Sequence, residues 1–408
     1  MRPAAIPRAQ ATLDAARAQL AARSGMSRES IRAVVSPYRV CPLGAHCDHQ
    51  HGPVLGAAID LFTALAFAPA AEAVVEIESA HHGEIWRSAF GAGAEADTGD
   101  PGAPAWTRYA RGAVAVLRDR LPARPVGLRA CAVGALPGGG LSSSASVVIA
   151  YLMALAHVNG VALAEAERVA LARRVENEHV GVACGILDPA SIVGSRRGHL
   201  LAIDTAAGRW ETVPLGSSDT DACFLVAYTG VSRHLAATDF NRRVGECREA
   251  TRRLARLAGT SGVELLGELP DEIFEAHLAA LPDPLARRAR HFFTERTRVR
   301  RGLACWRRGD LASFGALMNA SCQSSIRDYQ TGSHELVRLQ EILLATPGVL
   351  GARFSGAGFG GCAIALVEPA AAAGAAEEVA RRFADAFPEL AARARTFVVH
   401  GEDGARVV

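Results

Sequence analysis

Residues 138–158 read GGGLSSSASVVIAYLMALAHV: three glycines and a serine cluster, then a segment that is apolar on nearly every face of a helix. A helix without a polar face cannot sit on a surface, so the rest of the chain must wrap it. The residues just ahead, Gly127 to Ala135, read as a strand, which makes the unit a strand, a tight turn at Gly138, Gly139 and Gly140, and a buried helix. That arrangement gathers several unpaired backbone N–H groups and the positive end of a helix dipole at one spot, which suits a polyphosphate. Glycine lets the backbone approach closely, and Ser142, Ser143 and Ser144 add hydroxyls for phosphate oxygens or a hydrated magnesium ion. Taken alone, the same letters equally describe a turn followed by a serine helix cap.

The basic residues sharpen the chemistry. The chain carries 44 of them against 42 acidic ones, every one is arginine, and lysine is absent. A Walker A loop, a protein-kinase strand lysine and a Schiff-base amine are therefore excluded, and a phosphate site here must rely on backbone amides and arginine. A formal net charge of +2, spread along the chain, provides no broad field for nucleic acid. Short basic runs such as Arg298 to Arg301 read as solvated helix faces. Nine cysteines without a C-x-x-C pair point to buried thiols in a reducing, cytoplasmic compartment. The amino-terminal residues read as a charged amphipathic helix, and the apolar stretches are too short or too interrupted to span a bilayer.

At 408 residues two domains are expected, with the boundary in the polar stretch Ser217 to Asp221, giving units of 1–220 and 221–408. In the first, Ile31 to Leu43 and Val54 to Ala68 read as strands, and Glu72 to Glu78 with Ile85 to Phe90 as a hairpin. Trp106 to Arg120 and Leu163 to Glu178 read as helices, Gly181 to Ser195 as irregular, and a strand is expected near Leu200. In the second, Phe224 to Tyr228 begins a strand, and helices are expected over Arg242 to Ala258, Pro284 to Arg307 and Leu311 to Met318. Val349 to Phe354 and Cys362 to Val367 read as strands flanking the turn SGAGFGG, before a last helix from Ala370 to Phe387. The mixture is α+β, two domains with a cleft between them.

Other segments could carry chemistry. The glycine-rich turn Ser355 to Gly361 is either a hairpin or a backbone lid over a ligand. The run His46-Cys47-Asp48-His49-Gln50-His51 resembles a metal cluster only superficially, because zinc sites usually draw ligands from separated pairs. Asp188, in CGILDPAS, is a carboxylate in an apolar turn and needs a partner or a function, as does Arg39 at a strand end; either is equally a structural ion-pair member.

Together these segments resemble the galactokinase branch of the GHMP kinases. Ser36 to Val40 with Gly44 to Asp48 resembles that branch's signature, Gly138 to Ser146 its ATP loop, Glu176 to Asp188 its magnesium-to-catalytic segment, and Gly351 to Cys362 its third motif. The resemblance runs from about residue 31 to the carboxyl terminus. It implies a ribosomal S5 domain 2-like amino-terminal domain, a ferredoxin-like carboxyl-terminal domain, and transfer of the ATP γ-phosphoryl group to a sugar C1 hydroxyl in the cleft. By the same resemblance Asp188 takes the hydroxyl proton and Arg39 keeps Asp188 ionised and neutralises the transferring group. Ser144 and Glu176 serve Mg²⁺, and Gly138 to Gly140 with Ser142, Ser143, Ser144, Ala145 and Ser146 hold ATP. Ala45, His46, Asp48 and Phe240 line the sugar. Trp106 and Tyr109 lie either near adenine or on a packed helix face.

Ala45 bears on the choice of sugar. Galactokinases carry glutamate at the matching position, where it bonds the C6 hydroxyl, and a C6 carboxylate about 4 Å from such a glutamate would be repelled by roughly 4 kcal/mol at an effective dielectric near 20. SPYRVCPLGAHCDHQ and SGAGF look more like galacturonokinase, the uronate-specific kind, which implies D-galacturonate as substrate. Arg233, His234, Arg242 and Arg243 are candidate partners for its carboxylate. Three departures, Phe240 for a sugar-contacting tyrosine, Pro189 for glutamine and Gly360 in place of an arginine, bear on substrate breadth. A galactokinase with an altered C6 pocket and a non-catalytic sugar and ATP sensor are the competing readings.

Overall fold

A computed structural model describes residues 6–89, 104–136, 139–216, 222–231 and 239–408. The expected domain boundary at 220 and 221 therefore lies outside the described residues, as do Gly138, Arg233 and His234.

The first half is built on an eight-stranded sheet. Helix α1 (Ile6–Ser24) covers part of it and leads into β1 (Arg32–Leu43), which pairs antiparallel with β2 (Val54–Ala70). Nearly every position of both strands is buried, the signature of a sheet covered on both faces. The hairpin β3 (Val74–Ser79) and β4 (Glu84–Ala89) follows, then α2 (Thr107–Leu117) and β5 (Gly127–Gly134), which inserts between β2 and β3. Helix α3 (Ser143–Val158) is wrapped as its composition requires: it packs on β1, β2 and α2, and Val148, Ile149, Leu152 and Leu155 are fully buried. Helix α4 (Glu165–Arg174) continues into a π-helical turn over Val175–Val180, a local widening common at functional sites.

The segment expected to be irregular contains a helix, α5 (Leu187–Gly194). Pro189 falls in the first helical turn, where its missing N–H removes no intrahelical bond. Strands β6 (His199–Asp204) and β7 (Arg209–Pro214) complete this part of the sheet; β7 alternates too little in burial to have been read from periodicity.

In the second half β8 (Cys223–Tyr228) precedes the helices α6 (Asp239–Leu257), α7 (Asp271–His277), α8 (Leu285–Arg307) and α9 (Leu311–Ser324). A second π-helical turn at Ser325–Tyr329 leads to α10 (His334–Leu344). The strands β9 (Val349–Phe354) and β10 (Cys362–Val367), helix α11 (Ala372–Ala386) and β11 (Arg395–Val399) follow. The four strands form an antiparallel sheet in the order β11-β8-β10-β9. The short strand β12 (Arg406–Val407) crosses back to pair with β1 in the first sheet. Leu254 and Phe292 of α6 and α8 join the same buried cluster as Leu152 of α3.

The arginine run on α8 is only partly a solvated face. Arg300 and Arg301 are exposed, but Arg298 is drawn inward by Glu295, with Nε 2.5 Å from its Oε2.

Candidate active site

Arg39 lies on β1 just past a register irregularity between Pro37 and Tyr38, and it is 3% exposed. A buried guanidinium needs partners for its donors. Nε donates to Asp188 Oδ1 at 2.7 Å, and Nη1 donates to the Gly140 carbonyl at 2.9 Å and to Ser355 Oγ at 3.4 Å. Burial alone would favour loss of its proton, but the charge and hydrogen bond of Asp188 outweigh that and raise the pKa above the ordinary value. Asp188, in the first turn of α5, accepts from Arg39 on one oxygen and from Ser142 Oγ on the other. Its side chain keeps 26% exposure, so the carboxylate is held in place yet open to a reactant.

The two glycine-rich turns meet back to back. Gly140 has φ +86°, and a Cβ there would lie 2.6 Å from the Ser355 carbonyl oxygen; a Cβ on Gly361, at φ +92°, would lie 2.6 Å from the Gly139 carbonyl carbon. Ser355 Oγ closes the join by donating to the Gly140 carbonyl at 2.7 Å. Ser142 itself is left-handed, with φ 57°, which turns its hydroxyl onto Asp188 as α3 begins. Within the helix, Ser143 and Ser144 are half-buried and Ala145 is buried, while Ser146 Oγ is committed to the Ser36 carbonyl at 2.8 Å and ties the loop to β1.

Carboxylates crowd the same spot. Glu176, on the first π-helical turn, bonds the Ser144 hydroxyl and accepts from Cys184 Sγ at 3.2 Å. Burial first, then the charge of Asp188, pushes its carboxyl up to about 7. Asp48 accepts from the Leu187 N–H at 3.3 Å, and burial with the Asp188 charge pushes it up to about 6. Gly185 presses against Asp48, leaving no room for a side chain. Three carboxylates thus share one guanidinium, a donor set short of positive charge. Among the described residues no group of three or more His, Cys, Asp or Glu converges as a metal cage. Magnesium at phosphoryl-transfer sites asks for less, one or two carboxylates with phosphate and water, and Glu176 with Ser144 fits that pattern.

Asp48 ends a turn that begins at Gly44 and bends through His46, whose φ is 62°. Ala45 is buried. The His46 ring stacks on Tyr329 at 4.2 Å and 7°, and burial, followed by the electrostatic effect of the neighbouring His291, holds its pKa well below the ordinary value. His49 is used structurally: Nε2 meets the Tyr329 hydroxyl and Nδ1 the Gln50 amide, each at 3.0 Å. Phe240 meets the His49 ring edge-on at 5.8 Å. Of the candidate cations, Arg242 is exposed and paired with Asp239 at 2.8 Å, whereas Arg243 is buried and donates to the Tyr329 and Gln330 carbonyls at 3.0 and 3.3 Å. Trp106 donates to Glu84 at 2.8 Å and stacks on His82. One turn on, burial first and then the charge of Glu176 push the Tyr109 hydroxyl up to about 12.

Sequence reading missed several of these residues. Ser355 and Cys184 stood inside quoted motifs without a role; His291, Glu295 and Tyr329 carried no local signal.

Two family models match, the GHMP kinases N terminal domain over residues 108–195 and the GHMP kinases C terminal domain over 303–385. The galacturonokinase of Arabidopsis thaliana is 37% identical over 394 residues, covering 93% of each chain. The chain is a GHMP kinase. Within that family it belongs to the galactokinase branch: the galactokinase of Homo sapiens is 33% identical over 400 residues, covering 96% of each chain. The solved galactokinase of Lactococcus lactis, complexed with galactose, superposes with a TM-score of 0.85 at 28% identity, covering 96% of this chain and 98% of that one. This GHMP kinase is thus a sugar kinase of the galactokinase and galacturonokinase type, a phosphotransferase with an alcohol group as acceptor, in the two-domain fold of its family. No described helix is long and apolar enough to cross a membrane.

Proposed function

We propose that this kinase transfers the γ-phosphoryl group of ATP to the anomeric hydroxyl of D-galacturonate, yielding galacturonate 1-phosphate. The observation that carries the choice of sugar is Ala45, a methyl group in the turn that leads to Asp48, where galactokinases present a carboxylate. Removing that charge removes the repulsion a C6 carboxylate would meet. The 37% identity with a galacturonokinase across nearly the whole chain supports the same reading.

In this reading Asp188 accepts the proton of the anomeric hydroxyl as the new bond to phosphorus forms, and Arg39 and Ser142 hold its two oxygens so that one lone pair faces the sugar. Arg39 keeps Asp188 ionised and offsets charge on the transferring group. Amides of the 139–143 turn cradle the phosphates, Ser146 fixes that turn to β1, and Trp106 and Tyr109 border the adenine. Asp48 and His46 bind ring hydroxyls, and Phe240 adds an apolar wall. Ser144 and Glu176 would hold Mg²⁺, which would supply neutralisation of the phosphate charge. Positioning and charge suffice for phosphoryl transfer, so the missing lysine is no obstacle. The free thiols of all nine cysteines fit a cytoplasmic setting.

The reaction is tested by incubating the protein with ATP, Mg²⁺ and galacturonate and following phosphorus and proton NMR. The expected product shows phosphorus coupled to the anomeric proton; an ester elsewhere on the ring, or ester formation only when galactose replaces galacturonate, contradicts the proposal. The metal assignment has a pH signature. Because burial and the charge of Asp188 push the Glu176 carboxyl up to about 7 and only its ionised form binds a cation, Mg²⁺ affinity in the presence of a non-hydrolysable ATP analogue is expected to fall as the pH drops through and below about 7 and to level off above it. Glu176→Gln is expected to weaken binding and flatten that slope relative to wild type, as read by calorimetry; an unchanged slope removes Glu176 from the site.

A further inference from the structure

Helix α8 carries a polar stripe in an unusual place. Arg288, His291 and Glu295, spaced i, i+3 and i+7, share one helix face, and none exceeds 1% exposure. Burying three ionisable side chains in a row is costly unless each is matched. Each is matched: Glu295 and His291 bond the backbone of the turn from Gly44 to His46, and Arg288 pairs with Glu246 at 2.7 Å while bonding the residues on either side of Tyr329.

Glu295 Oε1 accepts the Gly44 N–H at 2.7 Å, and is itself held by Ser321 Oγ at 2.6 Å, with Arg353 Nη1 3.9 Å away. His291 Nε2 meets the Ala45 carbonyl at 2.9 Å while Nδ1 meets Ser324 Oγ at 2.9 Å. A carbonyl can only accept, so Nε2 carries the hydrogen, while Nδ1 faces the Ser324 hydroxyl, which also lies 3.1 Å from Asp328 Oδ2. Arg288 holds the opposite side: it bonds the Asp328 carbonyl and, at 2.7 Å, the Gln330 side chain, bracketing Tyr329, on which His46 stacks. The backbone on both sides of Ala45, and the ring beneath His46, are thereby pinned to one rigid helix. None of these α8 side chains reaches the Arg39, Asp188 and Ser142 cluster.

We infer that His291 and Glu295 are positioning residues that set the sugar-recognition turn, so that sugar affinity depends on α8 as well as on the side chains of the turn itself. The inference rests on reading residues 44–48 as sugar-binding. A bond from a helix side chain to a backbone carbonyl fixes the direction in which residue 45 and its neighbour His46 point, whatever residue occupies position 45. Freed of that bond, the turn loses its grip on the sugar ring while the phosphate loop, built on α3 and the Ser355 turn, keeps its shape.

The test is steady-state kinetics of His291→Leu and His291→Gln with galacturonate and galactose. His291→Leu leaves the Ala45 carbonyl buried without a donor, and is expected to raise the sugar KM by roughly 10- to 100-fold. Over the same change kcat should stay within about threefold and the ATP KM within about twofold. His291→Gln can place an amide N–H on the same carbonyl and is expected to recover most of the loss. An unchanged sugar KM in folded His291→Leu, an equal fall in kcat, or a glutamine variant no better than leucine at equal Tm overturns the inference. If His291→Leu does not fold, Ser324→Ala, which leaves the imidazole in place but releases it to turn, should raise the sugar KM in the same direction; no rise overturns it equally. Asp48→Asn separates the two layers: if it leaves the sugar KM unchanged, the sugar-binding reading of the turn fails and the inference with it. If it raises KM while His291→Leu does not, only the role of α8 fails.

Discussion

Asp188→Asn is expected to lower kcat by about 10² to 10⁴-fold, the range that a positioned general base contributes, while nucleotide still binds. The physical reason is local. Asparagine matches aspartate in shape and keeps one oxygen for Arg39 Nε, but its amide cannot take a proton, and its NH₂ group faces Ser142 Oγ where an acceptor stood. Arg39 then loses the charge of its hydrogen-bonded partner, so some loss of stability should accompany the loss of turnover. Calorimetric ATP binding and a thermal melt distinguish the two effects. Wild-type turnover in the folded variant would remove Asp188 from the chemistry and leave it a structural partner of Arg39.

The second large effect concerns position 45. Ala45→Glu places a carboxylate where a C6 carboxylate is proposed to sit, and at about 4 Å with an effective dielectric near 20 the repulsion of roughly 4 kcal/mol corresponds to about a 10³-fold loss in kcat/KM for galacturonate. Galactose, with a neutral C6 hydroxyl, should be spared and can gain a hydrogen bond. The readout is the ratio of kcat/KM for the two sugars, which is insensitive to the amount of active enzyme. Ala45 is buried, so part of any loss reflects crowding. Ala45→Gln, nearly the same size and uncharged, isolates the charge: it should cost galacturonate far less than Ala45→Glu does.

Much of the site was legible because it is written in local chemistry. The glycine-serine run marked the loop where α3 starts, since Gly139 and Gly140 have positive φ and a Cβ on them would strike the Tyr228 ring and the Ser355 carbonyl, and an all-apolar helix can only be buried. The bounds of β9 and β10 were readable for the same reason, each strand ending on the turn between them. Arg39 and Asp188, 149 residues apart, were legible only through their resemblance to a family; nothing local says that a strand arginine and a helix-start aspartate meet. The segment around Asp188, expected to be irregular, holds the eight-residue helix α5, too short for its period to show in the sequence. The α8 stripe was hidden for a different reason. In LARRARHFFTERTRVRRGLACWR the inward Arg288, His291 and Glu295 stand among outward arginines, so charge alone cannot say which face carries the buried partners. The π-helical turns at Val175–Val180 and Ser325–Tyr329 shift the helical register where Glu176 and Tyr329 enter the site, which a constant period cannot register.

The most direct measurement is ADP release by the purified protein with Mg²⁺ and ATP across galacturonate, glucuronate and galactose, expressed as kcat/KM for each. Galacturonate is predicted to exceed galactose by at least tenfold, with glucuronate below it; a clear preference for galactose would contradict the assignment of Ala45 as the residue that admits an acidic sugar.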